Sequence, residues 1–143
     1  MSKLITVALS QYGVKEVKGS KDHPQIINYF TSMGLNKTSY QDETAWCSAF
    51  ANWVAKEAGY EQSKKLNARS WLRVGSSTSA PEPGDVVVLW RENPDSWKGH
   101  VGFLVKESKR YVYLLGGNQG NSVSIKAYPK NRILDYRKLR KNG

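Results

Sequence analysis

Apolar residues recur at helical spacing through the first half of the chain and gather into short continuous or alternating runs through the second. In the first half, Leu4, Val7 and Ala8 mark one face of an opening helix. Ile26, Ile27 and Phe30 mark a second, with Asp22 as N-cap, Pro24 in the first turn and Gly34 past the end. A third is predicted from about Ala45 to Ala58, with Thr44 as N-cap and Gly59 just beyond its C-terminus. Its stripe of Cys47, Ala51, Val54 and Ala58 faces inward, flanked by Trp46, Phe50 and Trp53, and its small residues allow close approach to a sheet. Ala68 to Val74, closed by Gly75, reads as one or two further helical turns.

From Pro81 the pattern changes. Pro81-Glu82-Pro83-Gly84-Asp85 is turn chemistry, and Val86-Val87-Val88-Leu89-Trp90 is the continuous apolar run of a buried strand. Strands are also expected at His100 to Lys106, Tyr111 to Leu115, Val123 to Ala127 and Ile133 to Arg137, each bounded by Gly, Asn, Ser or Pro. Short connections favour antiparallel pairing. Helices followed by about five strands make an α+β fold, and 143 residues without a repeat or long linker make one domain, 1–143. The cations Arg137, Lys138, Arg140 and Lys141 read as a solvated basic end, with 138–143 as its tail.

Charge narrows the partner without naming it. Lys and Arg number 22 against 12 Asp and Glu, a net charge of +10, so the expected partner is anionic. Nucleic acid, an acidic membrane surface and an anionic cell-wall polymer all satisfy that. Five Trp and eight Tyr supply core formers that a disordered tail lacks. The N-terminal apolar stretch is too short for a secretory signal, and no run reaches membrane-spanning length. Synthesis in a cytoplasm, with release by another system, is therefore expected. With one Cys and two His, a zinc site of the usual ligand count would need carboxylates for most of its ligands, and no metal or cofactor is expected.

The chemistry centres on Cys47. A lone cysteine makes no internal disulfide, and a thiol in the first helical turn feels the positive end of the helix dipole, which favours the thiolate. Strand register supplies a base. If Ser108 and Lys109 form a two-residue turn, Glu107 pairs with Arg110 and His100 falls opposite Gly117; a slip of one residue puts it opposite Asn118. Either pairing brings His100 and Asn118 within about 5 to 8 Å. Val101, Phe103 and Val105 make the other, apolar face of that strand, while Gly102 leaves room on the His100 face, where the Cys47 helix is expected to lie. Cys47 as nucleophile, His100 as base and Asn118 as orienter reproduce the logic of thiol hydrolases. Asn118, in Gly116-Gly117-Asn118-Gln119-Gly120, equally suits turn chemistry. His23, before Pro24, has no comparable context and reads as a first-turn surface residue.

The order Trp46-Cys47-Ser48-Ala49-Phe50, Pro83-Gly84-Asp85-Val86-Val87, Gly99-His100-Val101-Gly102 and Gly116-Gly117-Asn118 resembles CHAP domains and the related NlpC-like cysteine peptidases over roughly Asp22 to Arg137. The resemblance implies a papain-like α+β fold and hydrolysis of peptidoglycan, with Cys47 as nucleophile, His100 as base and Asn118 as third member. Many CHAP domains carry an acidic residue near the third position, where this chain has Gly116 and Gly117, so Gln119 competes with Asn118 as orienter. Gln41, six residues before Cys47, is a candidate oxyanion donor beside the firmer Cys47 backbone N–H, with Tyr40 and Asp42 as lip residues. Trp46, Arg69 and Trp71 are candidate substrate-binding residues, with Ser70, Trp90 and Trp97 as further groove walls, although core packing explains most Trp residues as well. Asp42 and Glu43, being adjacent, do not make a glycosidase pair.

The implied function is an endopeptidase or N-acetylmuramoyl-L-alanine amidase of the bacterial wall. It would act without a cofactor, as a monomer, in the manner of compact phage or prophage endolysins. An antibacterial effector with the same chemistry is one alternative. Another is a non-enzymatic basic nucleic-acid-binding domain, which leaves the Cys, His and Asn order unexplained.

Overall fold

The computed structural model describes residues 2–16, 24–35 and 46–142. Helix α1 is Lys3–Leu9, and its N-cap Ser2 accepts the Leu4 N–H through its hydroxyl at 3.1 Å. Helix α2 is Pro24–Thr31 and α3 is Trp46–Ala58. The C-terminus of α3 is closed by Gly59 at φ +80°, with Tyr60 N–H donating to Ala55 O at 2.8 Å and Gly59 N–H to Lys56 O at 3.1 Å, the paired bonds of a Schellman cap. The expected caps Asp22 and Thr44 lie outside the described residues, as do His23 and Glu43.

The strands are β1 Ser76–Ser77, β2 Val86–Trp90, β3 Gly99–Glu107, β4 Tyr111–Gly116, β5 Ser124–Pro129 and β6 Ile133–Lys138. They form one sheet in the order β1-β6-β2-β3-β4-β5, antiparallel at every pairing. The fold is α+β. Five strands match the expected runs; β1 is a two-residue addition paired to the end of β6, too short to register as a hydrophobic pattern. Ala68–Arg73 and Lys130–Arg132 are 3₁₀ helices.

Alternation along the strands divides the apolar residues between the two faces of the sheet. Val86, Val88, Val101, Phe103 and Leu115 join Cys47, Ala51, Val54 and Ala58 of α3 in the main core. Val87, Leu89, Leu104, Val112, Leu114 and Tyr128 form a second cluster. Helix α3 is buried nearly all round, because Tyr29 of α2 packs on its outer side against Trp46, Phe50 and Trp53 at ring-centroid distances of 6.3, 5.3 and 5.4 Å. A helix so enclosed holds its first turn rigidly at the end of the sheet.

Three expectations need correction. Glu107 pairs with Val112, not Arg110, because the turn is longer than two residues and an irregularity between Leu104 and Lys106 absorbs one residue; nearer the site, Phe103 pairs with Leu115, the slipped register. The Cys47 helix does not lie over Gly102. That space is closed by Leu114, whose Cβ would stand 3.1 Å from a Cβ at Gly102, while α3 packs against Val101 and Phe103 on the opposite face. The basic end is solvated at Arg140 and Lys141, as expected, but it is joined to the fold and is no separate tail: Lys138 closes β6, Leu139 is buried, Lys141 bridges to Tyr60, and Asn142 N–H donates to Gly59 O at 2.8 Å. Arg137 likewise donates to Val74 O and Gly75 O and pairs with Asp135 at 3.0 Å.

Candidate active site

Strand β4 ends at Gly116, and its ladder with β3 runs only as far as Phe103–Leu115. Beyond that point β3 continues through His100, and the backbone N–H of Val101 lies close enough to the Cys47 sulfur to favour its thiolate. The thiol therefore rests against the peptide joining His100 to Val101. Gly117 makes this approach possible. A Cβ there would stand 2.8 Å from Phe50 Cβ and 3.0 Å from the Trp46 ring, so any side chain would push the start of α3 away.

Cys47 and His100 line one cavity of about 320 Å³. Burial pushes the Cys47 thiol up to about 11, against the opposing pull of the Val101 and Ser48 N–H groups. Desolvation thus outweighs the helix-terminus effect that the sequence suggested, and the resting group is the thiol. Burial likewise pushes His100 down to about 4, despite its bond to Gln119, and the charges of Arg91, Arg132 and Lys126 act in the same direction as burial. At neutral pH the resting pair is thiol and neutral imidazole.

Gln119 fixes which imidazole nitrogen is free. Its amide nitrogen donates to Leu114 O at 3.1 Å and Ser124 O at 2.7 Å, which leaves Oε1 to face His100 Nε2 at 2.9 Å. An amide oxygen only accepts, so Nε2 carries the proton and Nδ1 is left as the basic nitrogen. Gly116 has to be side-chain-free for this, since a Cβ there would lie 2.6 Å from Gln119 Oε1. Ser122 and Ser124 hydroxyls donate to Gln119 O at 3.2 and 2.9 Å and brace the loop.

The side chain that meets His100 Nε2 is Gln119, the competing choice, and not Asn118. The Asn118 backbone is left-handed at φ +57°, which turns the chain so that the next side chain, Gln119, points to His100, while Asn118 itself lines the cavity. The turn reading of Asn118 and the competing choice of Gln119 are the ones the geometry favours.

Of the other candidates, Trp46 and Trp71 are core residues, 2% and 0% exposed. The Trp46 indole N–H donates to Glu16 at 2.6 Å, and the Trp71 N–H to Ser48 Oγ at 3.0 Å. Arg69 is not among the residues that line the cavity; it donates to the carbonyls of Lys98, Pro94 and Asn93, fastening the β2–β3 connection. Trp90 N–H donates to Asn131 O, and Trp97 is 71% exposed. Tyr40, Gln41 and Asp42 lie outside the described residues.

Sequence reasoning missed Arg91, Lys126, Tyr128, Arg132 and Asn121, all of which line the Cys47 cavity. The alternation Lys126, Tyr128 along β5 was a usable signal, for it puts both on one face; Arg91 and Arg132 lie past strand ends and had none. Among the described residues, no His, Cys, Asp and Glu side chains gather as a metal site, and no helix is long and apolar enough to cross a membrane.

The CHAP domain family model matches residues 39–118, more than half the chain, spanning Cys47 and His100 and stopping one residue short of Gln119. No curated protein matches the chain.

Proposed function

Because this chain belongs to the CHAP domain family, whose members are cysteine- and histidine-dependent amidohydrolases or peptidases acting on peptidoglycan, we propose that it hydrolyses an amide of the cell-wall peptide with Cys47 as nucleophile and His100 as base. The observation that carries this reading is the shared cavity of Cys47 and His100, with the imidazole tautomer held by Gln119.

His100 Nδ1 takes the thiol proton as sulfur attacks the carbonyl carbon, and the carbonyl electron pair moves to oxygen. The Cys47 backbone N–H, in the first turn of α3, receives the oxyanion. Collapse breaks the C–N bond, and the amine leaves with the proton from Nδ1. Water then attacks the thioester, giving up its proton to Nδ1, and the expelled sulfur recovers it. A neutral starting pair suits this sequence, because the proton moves only as the S–C bond forms. Gln119 serves as a positioning residue that keeps Nδ1 unprotonated.

The papain-like arrangement, the endopeptidase or muramoyl-alanine amidase specificity, and a role in phage or prophage lysis at the bacterial wall are parts of the same proposal. They rest on the order of motifs around Cys47, His100 and Gly116-Gly117-Asn118. Cys47→Ala and His100→Ala should each abolish release of soluble fragments from purified peptidoglycan with unchanged circular dichroism. A folded Cys47→Ala protein with full activity ends the proposal. Mass spectrometry of the products separates the two bonds: a freed muramoyl lactyl group means amidase, and a new amine within the stem peptide means endopeptidase.

A further inference from the structure

The cavity that holds Cys47 is lined by three cations, Arg91, Lys126 and Arg132, and, among the described residues, by no carboxylate. None of the three is ion-paired among the described residues. Ion pairs among the described residues hold only Lys98, Lys130, Arg137 and Lys138, so what distinguishes the three is that they share one cavity. Three uncompensated positive charges around one small cavity are costly to hold together unless an anion enters it.

The three come from separate elements, and two of them are held by side-chain contacts. Arg132 donates through Nε and Nη2 to Trp90 O, both at 3.1 Å, and its guanidinium carbon lies 5.6 Å from the Tyr128 ring centroid and 5.8 Å from that of Trp90. The Lys126 ammonium lies 5.5 Å from the Tyr128 ring. The same ring stands 5.2 Å from the His100 ring. Tyr128 is thus a fixed platform with the catalytic imidazole and two cations gathered on it, and Arg91 at the end of β2 completes the set. That all three charges act on His100 agrees with this closeness.

We propose that this cavity receives a carboxylate carried by the substrate beside the scissile amide, and that Arg91, Lys126 and Arg132 determine specificity for it. The identity of the substrate rests on the peptidoglycan reading: the preferred stem peptide has its carboxylate free next to the cleaved bond, and amidation of that carboxylate removes the preference. A carboxylate fits better than a wall-polymer phosphodiester, because the cations line the same cavity as the thiol. Only a group on the chain being cut can reach them while its amide meets Cys47.

Two measurements test this separately. Cys47 is the one thiol in the chain, so alkylation reports on the cavity whatever the natural substrate. Sulfur displaces iodide from iodoacetate or iodoacetamide, an S–C bond forming as the C–I bond breaks, and the thiol proton passes to His100 or water. The iodoacetate-to-iodoacetamide rate ratio, divided by the same ratio for free cysteine, is expected to be about 10 or more at low salt and to fall as salt is added. Lys126→Gln, an exposed position on β5, should bring it toward one and Lys126→Glu lower it further; Arg132→Gln should act likewise where circular dichroism shows the fold kept. A ratio near one in the unaltered protein overturns the proposal.

The second measurement compares matched stem peptides with that carboxylate free or amidated. The unaltered protein should favour the free form about 10- to 100-fold in kcat/KM, as for loss of a charge-assisted hydrogen bond, and Lys126→Gln should narrow the gap. Cleavage of both peptides at equal rates overturns the carboxylate site and leaves the peptidoglycan reading standing. Anion-selective alkylation with neither peptide nor wall cleaved supports the carboxylate site and overturns the reading of the substrate.

Discussion

Replacing Gln119 tests the central geometry most sharply. In Gln119→Ala the His100 Nε2–H loses its acceptor at 2.9 Å, and Leu114 O and Ser124 O lose their donor at 3.1 and 2.7 Å. Each polar group left unpaired in so buried a place costs about 1–3 kcal/mol, so the melting temperature should fall. The imidazole is then free to rotate and to carry its proton on Nδ1, where it cannot accept from Cys47, and kcat should drop by about 10- to 100-fold, as for loss of other orienting partners, with KM little changed. Asn118→Gly keeps the left-handed backbone available and removes only the side chain, so its kcat should fall by less than about tenfold. Gln119→Glu is nearly isosteric but presents only acceptors to Leu114 O and Ser124 O, and it should be no more stable than Gln119→Ala. Long-range proton–nitrogen correlation of the imidazole reads the tautomer directly: Nε2–H in the unaltered protein, a mixture in Gln119→Ala. An intact Nε2–H tautomer and undiminished kcat in Gln119→Ala, with the loss falling on Asn118→Gly instead, would refute the assignment.

The remaining predictions concern titration and packing. Absorbance near 240 nm, taken as a difference from Cys47→Ala, should reveal no thiolate at pH 7 and a rise only toward pH 11; a thiolate band at neutral pH would contradict the dominance of burial at Cys47. His100 is held neutral in the fold, its value moving from the ordinary 6.5 to about 4, so the unfolded chain takes up its proton first as pH falls. The stability conferred is whole above about pH 6.5 and lost by pH 4, and at about 1.4 kcal/mol per tenfold change it amounts to roughly 3 kcal/mol. Urea midpoints for the unaltered protein should decline across that window more steeply than for a folded His100→Phe variant. Gly117→Ala forces a methyl to 2.8 Å from Phe50 Cβ and 3.0 Å from Trp46, and should cost about 1–3 kcal/mol in thermal melts while also lowering activity by shifting the first turn of α3. A fully active, equally stable Gly117→Ala protein would mean that this close approach is not what seats the thiol.

How much was legible beforehand depends on the range of the interaction involved. Helical spacing marked the inward stripe of α3 and Gly59 marked its end, because those are contacts and backbone conformations within a few residues. Alternation placed the two apolar faces of β3, and allowing a one-residue slip in the hairpin covered the register seen at Phe103–Leu115. The net charge of +10 also stood in the sequence, as a sum. Four matters were decided only by the folded chain. One residue absorbed between Leu104 and Lys106 set the register, and a left-handed Asn118 passed the His100 bond to Gln119, since a single dihedral rotates which neighbour points inward. Desolvation overrode the helix terminus at Cys47, because it depends on everything packed around the sulfur and not on its place in one helix. And Arg91, Lys126 and Arg132, distant in sequence and unremarkable singly, became one electrostatic feature when three elements closed on a single cavity. A sequence counts charges, but their separation in space is set by packing, and Coulomb's law acts on that separation.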